Sequence, residues 1–247
     1  MEHSDTSFDP GDLVKSIEIR RICAKNGVFM SDDMERRMLQ FARLLREANT
    51  RLNLISRKDV DNLWESHILH SLAILFEEKL PHNCVVLDLG SGGGLPGVPL
   101  TIVRPDISMI LLDATRKKVE AVQAMVTELS LNTVEVLWGR AEDPLTVEKV
   151  SDRCDVVVAR AVAPLKNLVS WSRVLVRRKR SVDGKTPHLV ALKGGDLDDE
   201  IAVIQKIGYV RDVTSKHLTF IGAENIPGVE KKIVSVHFSE THKDSRQ

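Results

Sequence analysis

The apolar positions of this chain follow two regimes. Over residues 34–52 they recur as Met34, Met38, Phe41, Leu45, Ala48 and Leu52, an alternation of four and three that lays one buried stripe along a helix. Ser31 is a suitable N-cap for it, and Asp32, Asp33 and Glu35 complement the helix dipole in the first turn. A second helix is predicted from near Asp59, carrying Leu63, Trp64, Ile68, Leu72 and Phe76 until Pro81 follows its end. His67 and His70 sit on that helix, where a histidine is more often packed than catalytic.

From Val85 the pattern changes to short apolar runs separated by amphipathic stretches. Strands are predicted from the run Val85, Val86, Leu87 that ends at Asp88-Leu89-Gly90, and at Ile107–Leu112, Val134–Trp138, Asp155–Ala159 and Leu189–Leu192. Tyr209–Thr214 and Ile233–Phe238 can supply two more, the last a candidate for antiparallel pairing. Helices fall between them at Pro96–Val103, on the stripe Val119, Val122, Val126 and Leu129, and near Pro164–Val176 and Asp196–Ile207. Repeated strand–helix units predict an α/β fold, a doubly wound and mostly parallel seven-stranded sheet. The expected organisation is an N-terminal helical region (1–83), a Rossmann-like domain (84–238) and a polar tail (239–247), with residues 1–10 read as disordered.

Composition narrows the classes. At 247 residues and 43% hydrophobic content the chain can bury a large core. No apolar run approaches the ~18 residues that span a bilayer, and Met1–Gly11 is polar and acidic, unlike a signal peptide. Three cysteines (Cys23, Cys84, Cys154) lack metal-ligand spacing, so a reducing cytoplasm and no metal are expected. Thirty-five basic residues balance thirty-five acidic ones, which argues against coating nucleic acid through bulk charge. A local basic run exists nonetheless. Leu165–Lys193 holds eight basic residues against one acid, Asp183, and Arg177, Arg178, Lys179 and Arg180 are its centre. That run is read either as a solvated surface or as a contact to phosphate.

Chemistry concentrates where strands end, since ligands of open α/β sheets sit beyond the carboxyl ends of the strands. The first strand runs into Asp88-Leu89-Gly90-Ser91-Gly92-Gly93-Gly94-Leu95-Pro96-Gly97. Its glycines permit positive φ and close approach of a ligand. This loop fits both the dinucleotide pattern G-x-G-x-x-G and the S-adenosylmethionine (SAM) pattern D-x-G-x-G-x-G. Asp88 tilts the choice toward SAM, because a carboxylate repels pyrophosphate but receives an α-ammonium, directly or through water. Asp113, about 20 residues on, is placed to accept ribose hydroxyls. Arg140, Arg160 and Lys193 close the third, fourth and fifth strands.

Several segments recur in one order. They are Asp-Leu-Gly-Ser-Gly-Gly-Gly-Leu-Pro-Gly-Val-Pro-Leu (88–100), Leu-Leu-Asp followed by Lys117-Lys118, Gly-Arg-Ala-Glu (139–142), Ala-Arg-Ala-Val-Ala-Pro-Leu (159–165) and Leu-Lys-Gly (192–194). Together with Asn53-Leu54-Ile55-Ser56 and His67-Ile68-Leu69, they closely resemble the bacterial small-subunit (16S) rRNA guanine-N7 methyltransferases, the glucose-inhibited division protein B family, over about residues 30–240. The resemblance implies a class I SAM-dependent methyltransferase fold and methyl transfer to N7 of a guanine near the decoding site, within a ribosomal subunit or its assembly intermediate. It implies that Gly90 and Leu95 line the methionine end of SAM, beside Asp88 and Gly92 of the loop pattern, that Asp113 holds the ribose, and that Ala141 and Glu142 flank the adenine. Arg160, with Arg140 nearby, would face the place where cofactor and guanine meet, as cofactor contact and catalytic residues. Lys193, Lys231 and the basic run Arg177–Arg180 would bind RNA. Ser66 and His70 stand where the family usually has a basic and an acidic residue, and Lys231-Lys232 where it usually has Arg-His. Lys231 keeps the charge but lacks the bidentate fork of arginine.

Guanine N7 carries a free lone pair, so alkylation there needs alignment and exclusion of water rather than a general base. No Asp/Asn-Pro-Pro-Tyr/Phe segment and no Pro-Cys pair is present, which sets aside exocyclic-amine and cytosine-C5 methylation. Two other classes share the loop: an NAD-linked oxidoreductase, and a ribosome-binding protein whose transferase site is inactive.

Overall fold

A computed structural model describes residues 8–160, 162–177, 187–228 and 230–239 of the chain. Strands β1 (Val85–Leu89), β2 (Ser108–Asp113), β3 (Val134–Trp138), β4 (Val156–Arg160), β5 (His188–Gly194), β6 (Val210–His217) and β7 (Lys231–Phe238) form one sheet in the order β3-β2-β1-β4-β5-β7-β6. β1 to β5 are parallel, and β7 runs antiparallel to both β5 and β6. Strand order reverses between β1 and β4, which places the crevice at the carboxyl ends of those two strands.

The period-two alternation of strand side chains divides the core by face. Val86, Leu111, Val158 and Leu192 point to one side, and Leu87, Leu112, Val157 and Leu189 to the other. Helices α2 (Asp32–Asn49), α3 (His70–Glu77), α4 (Gly97–Val103) and α5 (Arg116–Glu128) cover the first side. Helices α7 (Leu165–Leu175) and α8 (Asp198–Ile204), with the short α6 (Pro144–Val150), cover the second. Phe41, Leu45, Leu63 and Ile68 therefore share one core with the sheet. The boundary near residue 83 marks a change of element type, with continuous packing across it.

Three elements depart from the sequence reading. Helix α1 (Pro10–Lys25) is capped by Asp9, whose carboxylate accepts from the Gly11 and Asp12 amides. It lacks a readable stripe because Leu13, Val14 and Ile17 face outward while Ile19, Ile22 and Cys23 are buried. Helix α6 is only seven residues, capped by Asp143. The helix predicted from Asp59 instead opens with a short 3-10 turn (Arg57–Asp59) and a π-helical turn, Trp64–Leu69, before continuing as α3. Buried Asp12 anchors this turn, accepting from Trp64 Nε1 at 2.7 Å and from Arg46 of α2.

Candidate active site

The loop from Gly90 to Pro96 is held in shape by its own backbone and by β2. The amides of Gly90 and Ser91 both donate to the Leu112 carbonyl at 2.8 and 3.0 Å. Gly90, Gly92 and Gly94 have φ of +76°, +55° and +84°, a region L side chains enter only with strain. At Gly90 space is closed as well, since an added Cβ would lie 2.7 Å from both Val162 methyls. Asp113 organises the loop from the neighbouring strand. Its Oδ2 accepts from the Gly92 amide at 2.9 Å and its Oδ1 from the Thr115 amide at 2.7 Å. Asp88 acts beneath the loop, where Oδ2 accepts from the Gly97 amide at 2.7 Å and Oδ1 has no partner. It is wholly buried, and burial pushes its carboxyl up to about 7.

Two cavities open at this edge of the sheet. The smaller, about 140 Å³, is walled by Gly90, Asp113, Arg140, Ala141, Glu142 and Trp171. The larger, about 730 Å³, is walled by the π-helical turn, the end of β4 and the start of β7, with Asp59, His67, His70, Arg160, Lys193 and Lys231 as its titratable lining. Val162 borders both.

The larger cleft is cationic and well anchored. Arg160 Nη1 donates to the Ser66 carbonyl at 3.1 Å and meets His67 Nδ1 at 2.9 Å. Burial lowers its pKa to about 10, which leaves it charged at neutral pH. Burial, reinforced by Arg160, lowers His67 to about 4 and His70 to about 3, so both imidazoles are neutral. Lys193 is tethered to Glu200 at 3.1 Å and to the Ala163 carbonyl at 3.2 Å. Glu200 also accepts from the Leu165 amide at 2.5 Å, which pins the β4–α7 connection to the end of β5.

The sequence-derived residues do not all gather. Gly90, Asp113, Ala141, Glu142 and Arg140 line the smaller cavity, while Arg160, Lys193 and Lys231 line the larger. Arg140 is thus not beside Arg160; it is exposed and pairs with Glu142 at 3.8 Å. Leu95 is buried in the core beneath the loop and lines neither cavity. Asp88 likewise lines neither, so its influence on a ligand is through charge and through its grip on α4. Arg177 lies at the opposite edge of the sheet. It follows α7, donates to the Arg153 carbonyl at 3.1 Å and pairs with Asp155, which precedes β4, at 3.3 Å. Arg160 ends that same strand, so its length separates the two arginines. Arg178, Lys179 and Arg180 lie outside the described residues.

His67, His70, Asp59 and Trp171 were not singled out as site residues by sequence. Helical spacing made the histidines look merely packed, and both are in fact buried; the readable signal was their place one turn from each other on a polar interruption of an apolar helix. Among the described residues, no helix is long and apolar enough to cross a membrane, and no group of three or more His, Cys, Asp or Glu could hold a metal.

Comparisons with known proteins bear on the family and on the fold. The profile of the rRNA small subunit methyltransferase G family matches residues 34–231. The ribosomal RNA small subunit methyltransferase G of Porphyromonas gingivalis is 38% identical over 172 residues, 70% of this chain and 75% of that one. The protein of the same name from Pelodictyon phaeoclathratiforme is 38% identical over 190 residues, 77% of this chain and 78% of the other. Among solved structures, TYW2 of M. jannaschii in complex with AdoMet superposes with a TM-score of 0.53 at 14% identity, covering 78% of this chain and 80% of that one. A predicted O-methyltransferase of Agrobacterium tumefaciens gives 0.52 at 13% identity over 70% and 81%. At such identities the structural likeness speaks for the fold alone.

Proposed function

The chain belongs to the rRNA small subunit methyltransferase G family, and from that premise we propose that its two cavities divide the family's reaction, one for cofactor and one for target base. The protein is a SAM-dependent rRNA methyltransferase that modifies N7 of a guanine in small-subunit rRNA. The substrate in our reading is the decoding region of the small ribosomal subunit or of its assembly intermediate.

The residues of the smaller cavity fit SAM. Each Asp113 oxygen has accepted one backbone amide and retains lone-pair capacity for a ribose hydroxyl. Gly90 lines this cavity through its backbone, its Cβ side being closed by Val162, and Gly92, outside the cavity lining, orients Asp113 through its amide. Ala141 and Glu142 with Trp171 offer a half-apolar wall for an adenine. The unpartnered Oδ1 of Asp88 supplies negative potential under the loop that suits a cationic ligand. When bound, SAM supplies an electrophilic methyl group on a sulfonium.

What the chain itself contributes is alignment. The larger cleft adjoins the loop at Val162 and carries Arg160, Lys193 and Lys231, groups that grip phosphate or a guanine edge. N7 needs no deprotonation, and among the cleft histidines neither is cationic at neutral pH. The carrying observation is this juxtaposition, at the point of strand reversal, of an acid-and-glycine cavity with a basic one. The experiment is to incubate the protein with labelled SAM and unmodified small subunits, map the labelled nucleotides and test for N7 chemistry. Transfer to one guanine is expected; no transfer to guanine, or retention of NAD(H) in place of SAM, overturns the reading.

A further inference from the structure

An arginine side chain holds five N–H donors in one rigid plane and no acceptor, so the use of each donor can be followed. In Arg160 the two hydrogens of Nη1 meet two acceptors on one segment, the Ser66 carbonyl at 3.1 Å and His67 Nδ1 at 2.9 Å. The remaining donors are on Nε and Nη2. These two nitrogens have no protein partner among the described residues and are not shut off from solvent. Arg160 lines the larger cleft, so this edge of the guanidinium opens into it.

The grip on Nη1 comes from irregular backbone. Ser66 and His67 are neighbours in the π-helical turn Trp64–Leu69, a distortion frequent at functional sites. The turn brings a main-chain carbonyl and the next side chain to the same guanidinium nitrogen, 94 and 93 residues away. Because a guanidinium can only donate, His67 Nδ1 is the acceptor and the ring proton sits on Nε2. His67 Nε2 is sealed and without a partner, so the ring acts through Nδ1 alone. Lys193, in the same cleft, is tied to Glu200 and to the Ala163 carbonyl. Lys231 offers a point charge without a planar fork. Among the described residues lining this cleft, Arg160 alone can present two parallel donors.

We propose that His67 is a positioning residue for methyl transfer: with the Ser66 carbonyl it clamps one arm of Arg160 and so presents the Nε–Nη2 edge as a fixed fork to an oxyanion of the reactants. The inference rests on reading the larger cleft as part of the transferase site. A carboxylate or a phosphate matches such a fork with two parallel N–H···O bonds, and the carboxylate of SAM and a phosphate of RNA share that chemistry. Holding the guanidinium in place beforehand lowers the ordering cost when the oxyanion arrives.

The test is a double-mutant cycle between His67 and Arg160. It is read in kcat and KM for methyl transfer to unmodified small subunits, and in SAM affinity by calorimetry without RNA. His67→Ala should lower kcat/KM by about tenfold to a hundredfold. In an Arg160→Lys background, which has no fork to align, the same substitution should change it by less than about twofold. His67→Asn puts a carbonyl oxygen near the place of Nδ1 and should recover most of the loss. His67→Gln puts its polar atoms near the place of Nε2 and should behave as His67→Ala. The two replacements are equally polar, so a general need for polarity would not separate them. The parameter that Arg160→Lys alters identifies the oxyanion: weakened SAM binding assigns the carboxylate, and a raised KM for subunits with SAM binding intact assigns the phosphate. His67→Ala must alter the same parameter. Equal effects of His67→Ala in both backgrounds, an effect confined to the other substrate, or equal behaviour of the Asn and Gln variants overturns the inference and leaves the function standing. Failure of the native protein to transfer methyl overturns the functional reading and the inference with it. Thermal melting identifies a variant that has not folded; if that is His67→Ala, the Asn and Gln variants in the two backgrounds carry the test.

Discussion

Asp88 makes the fold sensitive to pH in a direction opposite to that of most carboxylates. It is wholly buried, takes one hydrogen bond from the Gly97 amide and leaves Oδ1 unpartnered, so burial holds its carboxyl up at about 7 instead of 3.8. Between those two values the folded state binds a proton that the unfolded state has released. Stability contributed by the protonated carboxyl is therefore complete below pH 4 and is lost progressively as pH rises through 7. Integrating from pH 5 to pH 8 with a folded value of about 7 gives a fall on the order of 2–3 kcal/mol for this one group. The assay is urea unfolding of the native protein and of Asp88→Asn at pH 5, 6, 7 and 8. The difference between the two profiles cancels every other titrating group, and the variant should gain on the native protein as pH rises. Saturating SAM should flatten the native slope, because a cation held over the loop favours the carboxylate. Parallel profiles for the two proteins would refute the burial argument and show Asp88 to be solvated.

Three further outcomes are expected. Asp113→Ala strands the Gly92 and Thr115 amides and should weaken SAM binding by about 1–3 kcal/mol in calorimetry; unchanged affinity would remove Asp113 from the cofactor site. Gly90→Ala combines a positive φ with a 2.7 Å approach to Val162 and should cost about 1–3 kcal/mol of stability. Adding Val162→Ala should relieve the contact without relieving the backbone, so rescue should be partial in thermal melts. Lys231→Ala should lower the salt slope of RNA binding by about one, whereas Arg177→Ala, at the far edge and paired with Asp155, should leave that slope alone. A reversed pattern would move the RNA surface to the opposite edge of the sheet.

The chain's local chemistry was sufficient for the sheet and for the loop. Short apolar runs at regular intervals specify buried parallel strands, and glycines bounded by Asp88 and Pro96 specify a strand-to-helix turn that binds ligands, because these are properties of neighbours along the chain. Asp113 was legible for the same reason, its spacing from the loop being set by one strand–helix unit. Position across the sheet was not legible. Leu95 looks like a loop residue and is core, Arg140 and Arg160 look like partners and wall different cavities, and Arg177 looks like part of a nucleic-acid face and sits beside Asp155 at the amino edge. Only the folding of α2, α3 and the π-helical turn onto the face of the sheet brings His67 within 2.9 Å of Arg160, 93 residues away. That contact sets the tautomer of His67, and burial, reinforced by Arg160, keeps the ring neutral. Strand periodicity is encoded residue by residue, but a cleft between distant segments exists only once the core has packed, and there the histidines acquire their chemistry.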